Sequence, residues 1–257
     1  MDFRDKYQII QILGRGACST AFLVNNRFTD QICVAKRTRE PKYSRLIARE
    51  AEVMKGMYES QNIAEIIETI QDRKIGFSKH NKAIILKYSG QKCLAMFLKK
   101  SDTEPDTAIE PRFSQRELTF YAAQLFAGIN HVHAHGYIHG DIKPSNIIRG
   151  DHILKQQNYL RIIDFSGCRH VHEVRNCHGT PGYSAQEQMY GITIFETDYY
   201  GIGITMNTLA EGRMRSGKSG THDITSRRDI SDKFKEGLYL AMNQNPKERI
   251  KGMTLLL

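Results

Sequence analysis

The most informative segment of the chain is His139-Gly140-Asp141-Ile142-Lys143-Pro144-Ser145-Asn146. It places a carboxylate, an ammonium group and a carboxamide close together, just after a long helical pattern and just before the apolar pair Ile147-Ile148. The side chain of Asp141 is suited to accept a proton from a hydroxyl, that of Lys143 to neutralise a phosphate and that of Asn146 to bind a metal ion. The segment is therefore the strongest candidate in the sequence for a catalytic site.

A second acidic side chain of interest, Asp164, ends an apolar strand in the run Ile162-Ile163-Asp164-Phe165-Ser166. Carboxylate oxygens are ligands that Mg²⁺ prefers in proteins. Asp164 is therefore a second candidate metal ligand.

Two glycines lie between predicted strands in the run Leu13-Gly14-Arg15-Gly16-Ala17-Cys18-Ser19-Thr20-Ala21. Because glycine has no Cβ, the backbone at Gly14 and Gly16 can approach phosphate oxygens and direct N–H groups at them. A tight hairpin without a ligand explains this run equally well when it is taken alone.

A lysine and a glutamate are expected to form a buried ion pair. Lys36 ends a predicted apolar strand, and Glu50 falls on the apolar stripe of a helix predicted over residues 43–58. That stripe consists of Leu46, Ile47, Met54 and Met57. A buried carboxylate is costly unless it is paired, so Lys36 is the natural partner of Glu50. The alternatives are a Lys36 that extends to solvent and a Glu50 that reaches solvent at the edge of the stripe.

Strand patterns dominate the first part of the chain and helical patterns dominate the rest. Strands are predicted over residues 7–13, 21–24, 32–35 and 83–86, and the longest helical pattern covers residues 114–135. Ser114 and Glu117 form a capping box at its start. This order predicts an α+β protein with a small β-rich N-terminal lobe (about residues 1–87) that contains one main helix. A junction at about residues 87–90 would lead to a larger, mainly helical C-terminal lobe (about residues 91–257).

Composition limits the class of protein. Of the 257 residues, 40% are hydrophobic and 25% charged, an ordinary globular balance. There is no apolar run of about 18 residues, so no membrane span is expected, and the charged N-terminus is unlike a secretory signal. Five scattered cysteines favour free thiols, so we expect an intracellular protein, cytoplasmic or nuclear, of a host cell if it is viral. The net charge of +9 fits acidic proteins, anionic membranes or nucleic acid, and charge alone does not choose among them.

In their order along the chain, these motifs resemble those of the eukaryotic protein kinases over essentially its whole length. The matching segments are residues 14–21, Val34-Ala35-Lys36, Glu50, residues 139–146, Asp164-Phe165-Ser166, residues 179–187, residues 198–203 and residues 245–250. The pair Lys143-Pro144 and the run Gly179-Thr180-Pro181 resemble the serine/threonine branch. The resemblance implies one bilobal kinase domain over residues 1–257, which transfers the γ-phosphoryl group of ATP to Ser/Thr hydroxyls of proteins with Mg²⁺ or Mn²⁺ as cofactor.

The resemblance also implies which residues hold the nucleotide. They are Leu13, Gly14, Arg15, Gly16, Ala17, Cys18, Ser19, Thr20, Ala21, Lys36, Glu50, Lys87, Tyr88 and Ser89. Within this set Lys36 holds the α- and β-phosphates, Glu50 positions Lys36, and residues 87–89 form the hinge that contacts adenine.

For the chemistry itself, the resemblance implies that Asp141 orients the acceptor hydroxyl and takes its proton, while Lys143 steadies the γ-phosphate. Asn146 and Asp164 would hold the metal ion.

Four further residues have supporting roles by the same resemblance. Asp198 anchors the backbone of the catalytic loop, Arg249 pairs with Glu187, and Thr180 contacts the catalytic Asp and Lys.

Several positions depart from the family pattern without removing a catalytic side chain. Gly140 stands where the family has arginine, Ser166 and Ser19 where it has glycine, and Gln186 where it has proline. The catalytic loop with Gly140 also resembles that of the vaccinia-related kinases.

The segment from residue 164 to 187 is expected to work without phosphorylation. In regulated relatives the arginine that Gly140 replaces binds a phosphorylated residue of this segment. Residues 167–179 contain no Ser, Thr or Tyr at all. Ser166 belongs to the metal-binding turn, and Thr180 is expected beside the catalytic base.

The expected partner is a protein with a Ser or Thr acceptor. Relatives that select arginine carry a glutamate at the positions of Ser145 and Thr208, so we expect acidic or already phosphorylated substrates to suit the positive surface. No specific nucleic acid is expected, and the protein is expected to be a monomer.

Other readings remain open. Ser166 and Gly140 lend support to a pseudokinase scaffold that binds partners or nucleotide without efficient transfer. A small-molecule phosphotransferase and, on net charge alone, a nucleic-acid-binding module are further alternatives. A zinc site is a minor one, formed from Cys168, His170, His172, Cys177 and His178, although their spacing matches no standard site.

Overall fold

The first part of the chain is built on one antiparallel sheet. The computed structural model describes residues 2–57, 59–72, 81–98, 113–150, 159–173, 179–214, 224 and 227–257. The sheet consists of β1 (Tyr7–Arg15), β2 (Ser19–Asn26), β3 (Ile32–Thr38), β4 (Ile66–Asp72) and β5 (Asn81–Lys87), in the order β1-β2-β3-β5-β4. Helix α1 (Phe3–Lys6) precedes the sheet, and helix α2 (Ser44–Lys55) connects β3 to β4.

The rest of the described chain is mainly helical. Its helices are α3 (Gln115–Ala134), α4 (Gln186–Met189), α5 (Phe195–Glu211), α6 (Asp232–Ala241) and α7 (Pro246–Leu256). Its short strands are β6 (Lys92–Cys93), β7 (Tyr137–Ile138), β8 (Ile147–Arg149), β9 (Leu160–Ile162) and β10 (Arg169–His170). Strands β6, β8 and β9 form one small sheet, and β7 and β10 form another. The predicted α+β class, with a β-rich N-terminal lobe and a helical C-terminal lobe, is confirmed.

The four predicted strands are all present, and each is longer than predicted. Strand β4 was not predicted. Its sequence, Ile66-Ile67-Glu68-Thr69-Ile70-Gln71-Asp72, mixes apolar and polar residues without regular alternation. Among the described strands β4 lies at the edge of the sheet beside β5, and the register of this pairing shifts between Ile66 and Glu68.

The predicted helix over residues 43–58 is confirmed as α2, but one member of its apolar stripe was wrong. Leu46 is 42% exposed. The buried face consists of Ile47, Glu50, Ala51, Val53 and Met54. The stripe is rotated away from Leu46, and Glu50 lies within it rather than at its edge.

The sheet separates two apolar clusters. Alternation along the strands sends neighbouring residues to opposite faces. Ile84 and Leu86 therefore join the large core, which continues through α2 and α3 into the C-terminal helices. Ala83 and Ile85 face the other side, where the buried ring of Phe3 from α1 covers them.

Helix α3 begins at the predicted capping box, and helix α5 packs closely against the predicted catalytic loop. Ser114 caps α3 in the predicted capping box, accepting a hydrogen bond from the Glu117 N–H while its own N–H donates to the Glu117 carboxylate. On α5, a Cβ at Gly201 would lie 2.9 Å from Cβ of Ile142 and 3.1 Å from its carbonyl oxygen. Only glycine allows α5 to pack this closely against the loop.

A buried ion pair joins α7 to α4, as predicted. The guanidinium of Arg249 is fully buried, and its Nη2 donates to Oε2 of Glu187 at 2.9 Å while its Nη1 donates to Oε1 at 2.5 Å. Burial alone would raise the pKa of Glu187, but the hydrogen bonds from Arg249 hold it below its usual range. The pair therefore consists of two charged groups that satisfy each other.

We predict that Glu187→Gln destabilises the protein by about 3–5 kcal/mol, because it leaves the buried guanidinium without its counter-charge. Because the pKa of Glu187 is depressed in the folded state, the stability that the pair contributes decreases at acid pH. Its contribution is complete above the unfolded-state pKa of about 4.3 and is lost as pH falls through the lower folded-state value. Urea unfolding of both proteins from neutral to acid pH measures this, and the variant should lose less stability at acid pH than the wild type.

The matched control is Glu248→Gln, because Glu248 pairs with Lys251 at the surface of the same helix. That change should alter stability by less than about 1 kcal/mol. Equal effects of the two substitutions would contradict the buried-pair interpretation.

Candidate active site

Lys36 lies at the centre of a three-membered charge network. Its Nζ is 2.7 Å from Oε1 of Glu50 on α2 and 2.7 Å from Oδ1 of Asp164 after β9. The Lys36–Glu50 pair is the predicted one, and Asp164 is a further member that the sequence did not connect to it. Strand β3, helix α2 and the segment after β9 thus converge on one ammonium group.

The surroundings favour the charged forms of Lys36 and Asp164. Burial alone would lower the pKa of Lys36, but the carboxylates of Glu50 and Asp164 raise it above its usual value. The pKa of Asp164 is well below its usual range although burial opposes this, because Lys36 attracts the carboxylate and the Ser166 hydroxyl donates to it. Burial raises the pKa of Glu50, whose Oε2 has no hydrogen-bond partner among the described residues.

Asp164 is held in an uncommon backbone conformation. Its φ is +67°, in the left-handed region. The Ser166 hydroxyl donates to Oδ1 of Asp164 at 2.6 Å, and the N–H of Phe165 donates to Glu50 at 3.2 Å. The buried ring of Phe165 meets the ring of His139 edge to face. These contacts fix the direction of the Asp164 carboxylate.

The predicted catalytic residues lie together. Nζ of Lys143 is 2.6 Å from Oδ2 of Asp141, and Nδ2 of Asn146 donates to the same oxygen at 3.1 Å. The hydroxyl of Thr180 donates to Oδ1 of Asp141 at 2.7 Å and accepts from Lys143 at 2.6 Å. The predicted contact of Thr180 with both residues is confirmed. The Ile163 N–H donates to the Asn146 carbonyl at 2.9 Å, which brings Asn146 close to the segment of Asp164.

Asp198 on α5 anchors this loop through its backbone, as predicted. Its two carboxylate oxygens accept from the N–H of His139 at 2.9 Å and of Gly140 at 2.7 Å. Nε2 of His133 on α3 lies 2.8 Å from the same carboxylate. Gly140 adopts φ +74°, a left-handed conformation that glycine takes without strain.

The glycine-rich run forms the turn between β1 and β2. The N–H of Gly16 donates to the Ser19 carbonyl at 2.8 Å, and Arg39 holds the turn from outside by donating to the Gly16 carbonyl at 3.4 Å. A Cβ at Gly14 would meet no atom within 4 Å. The protein's own packing therefore leaves open space beside this backbone.

The predicted hinge follows β5. Tyr88 and Ser89 are buried, and the N–H of Lys87 donates to the Glu65 carbonyl at 2.9 Å. A Cβ at Gly90 would lie 2.5 Å from the Arg149 carbonyl, so the chain at this point runs directly against β8. The chain just after the hinge residues therefore packs against β8, the strand that follows Asn146.

The minor zinc hypothesis involves Cys168, His170, His172, Cys177 and His178. Cys177 and His178 lie outside the described residues. Among the residues that the structure describes, no three His, Cys, Asp or Glu side chains form a cluster suited to a metal ion.

Within the described part of the chain, no helix combines the length and apolar character needed to cross a bilayer.

Two side chains near the site make polar contacts that were not predicted from the sequence. Arg49 of α2 binds the carboxylate of Glu173 and the Cys168 carbonyl, and Gln188 of α4 donates to the Gly140 carbonyl. The one signal in the sequence was the polar side chain of Gln188 on a short segment between motifs. The partners of Arg49 and Gln188 depend on the tertiary fold and could not be predicted from the sequence.

Comparison with known proteins assigns the family. The family model described as protein kinase domain matches residues 7–253. The chain therefore belongs to the protein kinase family, as its motifs predicted.

Three relatives illustrate the distance within the family. The chain is 24% identical to the serine/threonine-protein kinase PknG of Mycobacterium leprae, over 76% of this chain and 25% of that protein. It is 23% identical to calcium-dependent protein kinase 4 of Plasmodium berghei, over 91% and 45% respectively. It is 24% identical to CBL-interacting protein kinase 26 of Oryza sativa, over 96% and 50%. The chain spans half or less of the length of these relatives.

We predict that Gly140→Ala destabilises the protein by about 1–2 kcal/mol, because any Cβ is strained at this left-handed backbone position. The matched control is Gly56→Ala. Gly56 has φ −71°, and its added Cβ would lie 3.5 Å from the Val53 carbonyl, an ordinary contact. That substitution should stabilise by about 0.4–1 kcal/mol. Thermal and urea unfolding report both, and a Gly140→Ala protein as stable as the wild type would rule out the strain argument.

Proposed function

We propose that the protein is an ATP-dependent serine/threonine protein kinase. The observation that carries the proposal is the position of the Thr180 hydroxyl, which donates to Asp141 and accepts from Lys143. These two side chains therefore already bind an alcohol in the manner that an acceptor hydroxyl requires. The network around Lys36 and the open glycine-rich turn supply the complementary groups for a polyphosphate.

The reaction needs little covalent help from the protein. The acceptor hydroxyl oxygen attacks the γ-phosphorus of ATP, the bond from that phosphorus to the β–γ bridging oxygen breaks, and ADP leaves. Asp141 orients the hydroxyl and takes its proton. Lys143, already 2.6 Å from Asp141, offsets negative charge on the transferred group. Lys36 is charged and shared by two carboxylates, and it is available to bind the α- and β-phosphates.

The oxygen donors of Asp164 and Asn146 fit a hard divalent cation. Asp164 is ionised, and Asn146 donates through its Nδ2 to Asp141, which leaves its amide oxygen as the atom that can face a metal. Carboxylate and amide oxygens suit Mg²⁺ or Mn²⁺ rather than a soft metal. When bound, such an ion supplies neutralisation of charge on the phosphate oxygens. Residues 13–21 and the hinge residues 87–89 would complete the nucleotide site.

The substrate is inferred to be a protein that is acidic or already phosphorylated near its acceptor. The net charge of +9 attracts such a partner, and Ser145 and Thr208 offer no carboxylate to an arginine upstream of the acceptor. Thr208 donates its hydroxyl to the Ile204 carbonyl within α5. We further propose a monomeric protein that acts inside the cell, in cytoplasm or nucleus.

We predict that Asp141→Asn and Asp164→Asn each lower kcat by a factor of about 10² or more, because one removes the proton acceptor and the other a metal ligand. Lys36→Met should abolish most transfer while the protein stays folded. Phosphoryl transfer from Mg·ATP to a peptide library measures this, with identification of the phosphorylated residues. Phosphoserine and phosphothreonine should dominate, without selection for upstream arginine.

The control is Asp30→Asn, because the Asp30 carboxylate accepts a hydrogen bond from the Asn25 amide in the turn between β2 and β3. Its kcat should match the wild type. A wild-type protein that binds ATP but transfers no phosphate to any acceptor would favour the pseudokinase scaffold instead.

We also propose that the kinase needs no phosphorylation of the segment from residue 164 to 187. A phosphorylated residue orders such a segment by placing negative charge against arginine. Here Glu173 supplies that charge from the chain itself, because its carboxylate binds Arg49 of α2. Arg49 also donates to the Cys168 carbonyl at 3.4 Å, so one side chain links helix α2 to two points of the segment.

Protein made in bacteria and treated with phosphatase should therefore keep its activity. Glu173→Gln should lower kcat although it changes stability by less than about 1 kcal/mol, because the pair is partly exposed. Glu40→Gln, which breaks the exposed pair of Glu40 with Lys42, is the control and should leave kcat unchanged. A large loss on dephosphorylation, restored by phosphorylation within the segment, would refute the proposal.

A further inference from the structure

Gln188 is a buried polar side chain whose position has no explanation in the reaction described above. It lies on the short helix α4 and is only 3% exposed. Its Nε2 donates to the carbonyl oxygen of Gly140 at 2.8 Å, and its Oε1 accepts from the N–H of Ala185 at 2.9 Å. Both ends of one amide therefore bind backbone, one in the catalytic loop and one in the segment that follows Thr180.

The side-chain amide of Gln188 also packs against the segment that carries Thr180. A Cβ at Gly179 would be 3.1 Å from Nε2 of Gln188 and 2.3 Å from the Ser184 hydroxyl. That hydroxyl donates to the Thr180 carbonyl at 2.8 Å. Gly179, Ser184 and Gln188 thus form one packed layer, and a shift of Gln188 would move the backbone at Thr180.

Gly140 is held at both of its backbone polar groups. Its N–H donates to Asp198, and its carbonyl accepts from Gln188. Gly140 directly precedes Asp141 and has no side chain through which to contact the segment. Within the described residues, the Gln188 amide is the direct hydrogen bond between the backbone of Gly140 and helix α4.

We propose that Gln188 is a positioning residue for phosphoryl transfer, which fixes the Asp141 carboxylate relative to Thr180 by binding the Gly140 carbonyl. The inference rests on the proposed kinase function, since it concerns the same site. Gln188 acts through the backbone and contacts no substrate. A displacement of about 1 Å at a catalytic group lowers rates on the order of 10²-fold, so the loss of one such bond is measurable.

Two substitutions test whether Gln188 positions the catalytic loop or only stabilises the fold. Gln188→Met keeps the length of the side chain and removes both hydrogen bonds. Gln188→Glu keeps an acceptor for the Ala185 N–H but places a carboxylate oxygen against the Gly140 carbonyl oxygen. We expect kcat to fall between 10-fold and on the order of 10²-fold in both variants, with KM for ATP unchanged, because the nucleotide contacts are remote.

The matched control is Gln124→Met. Gln124 of α3 is also buried, and its Oε1 accepts from the Leu160 N–H at 2.8 Å and from Asn62 at 3.2 Å. That variant should lose stability to a similar extent but keep its kcat per folded molecule. If Gln188→Met lowers activity only in proportion to its unfolded fraction, as Gln124→Met would, the role is purely structural and the inference is wrong.

Hydrogen exchange makes the test independent of turnover. The amides of the catalytic loop, including that of Gly140, should exchange faster in Gln188→Met than in the wild type and in Gln124→Met. If the wild type transfers no phosphate, the proposed function fails, yet the exchange of this loop still reports whether Gln188 fixes it. Unchanged exchange in Gln188→Met would overturn the inference even in an active kinase.

Discussion

The carboxylate of Asp198 is the point on which the site depends. It is fully buried and accepts hydrogen bonds from the N–H groups of His139 and Gly140, while His133 lies 2.8 Å away. A buried carboxylate without such partners would be strongly disfavoured, and buried N–H groups without an acceptor would be too. The Asp198 carboxylate and the two N–H groups therefore stabilise each other. They hold the backbone of the catalytic loop against α5, and this fixes the position of Asp141.

The charge network around Lys36 links the N-terminal lobe to the segment after β9. Lys36 comes from the sheet, Glu50 from α2 and Asp164 from the segment after β9, and Lys36 contacts both carboxylates at 2.7 Å. In a partly buried setting, a cation between two carboxylates is satisfied only when all three elements are in place. The arrangement of α2 against the sheet is therefore coupled to the direction of a candidate metal ligand.

The sequence predicted the Lys36–Glu50 pair, because Glu50 on an apolar helical stripe needs a buried cation and Lys36 ends a neighbouring apolar strand. The anchoring role of Asp198 was predicted only from the resemblance to the kinase family, and the contact of Asp164 with Lys36 was not predicted. The helical stripe that pointed to Glu50 misplaced Leu46, because an amphipathic pattern fixes the apolar face only to within one position. It could not find the partners of Glu173 or Gln188, since each contact joins residues far apart in the chain and depends on how the helices pack.

The left-handed backbone at Gly140 limits which residues the position can accept. Its N–H donates to Asp198 and its carbonyl accepts from the Gln188 amide, so both of its backbone polar groups are tied down. A substitution by arginine would therefore introduce backbone strain of about 1–2 kcal/mol. The hydrogen bonds that hold the loop thus also oppose any side chain at this position.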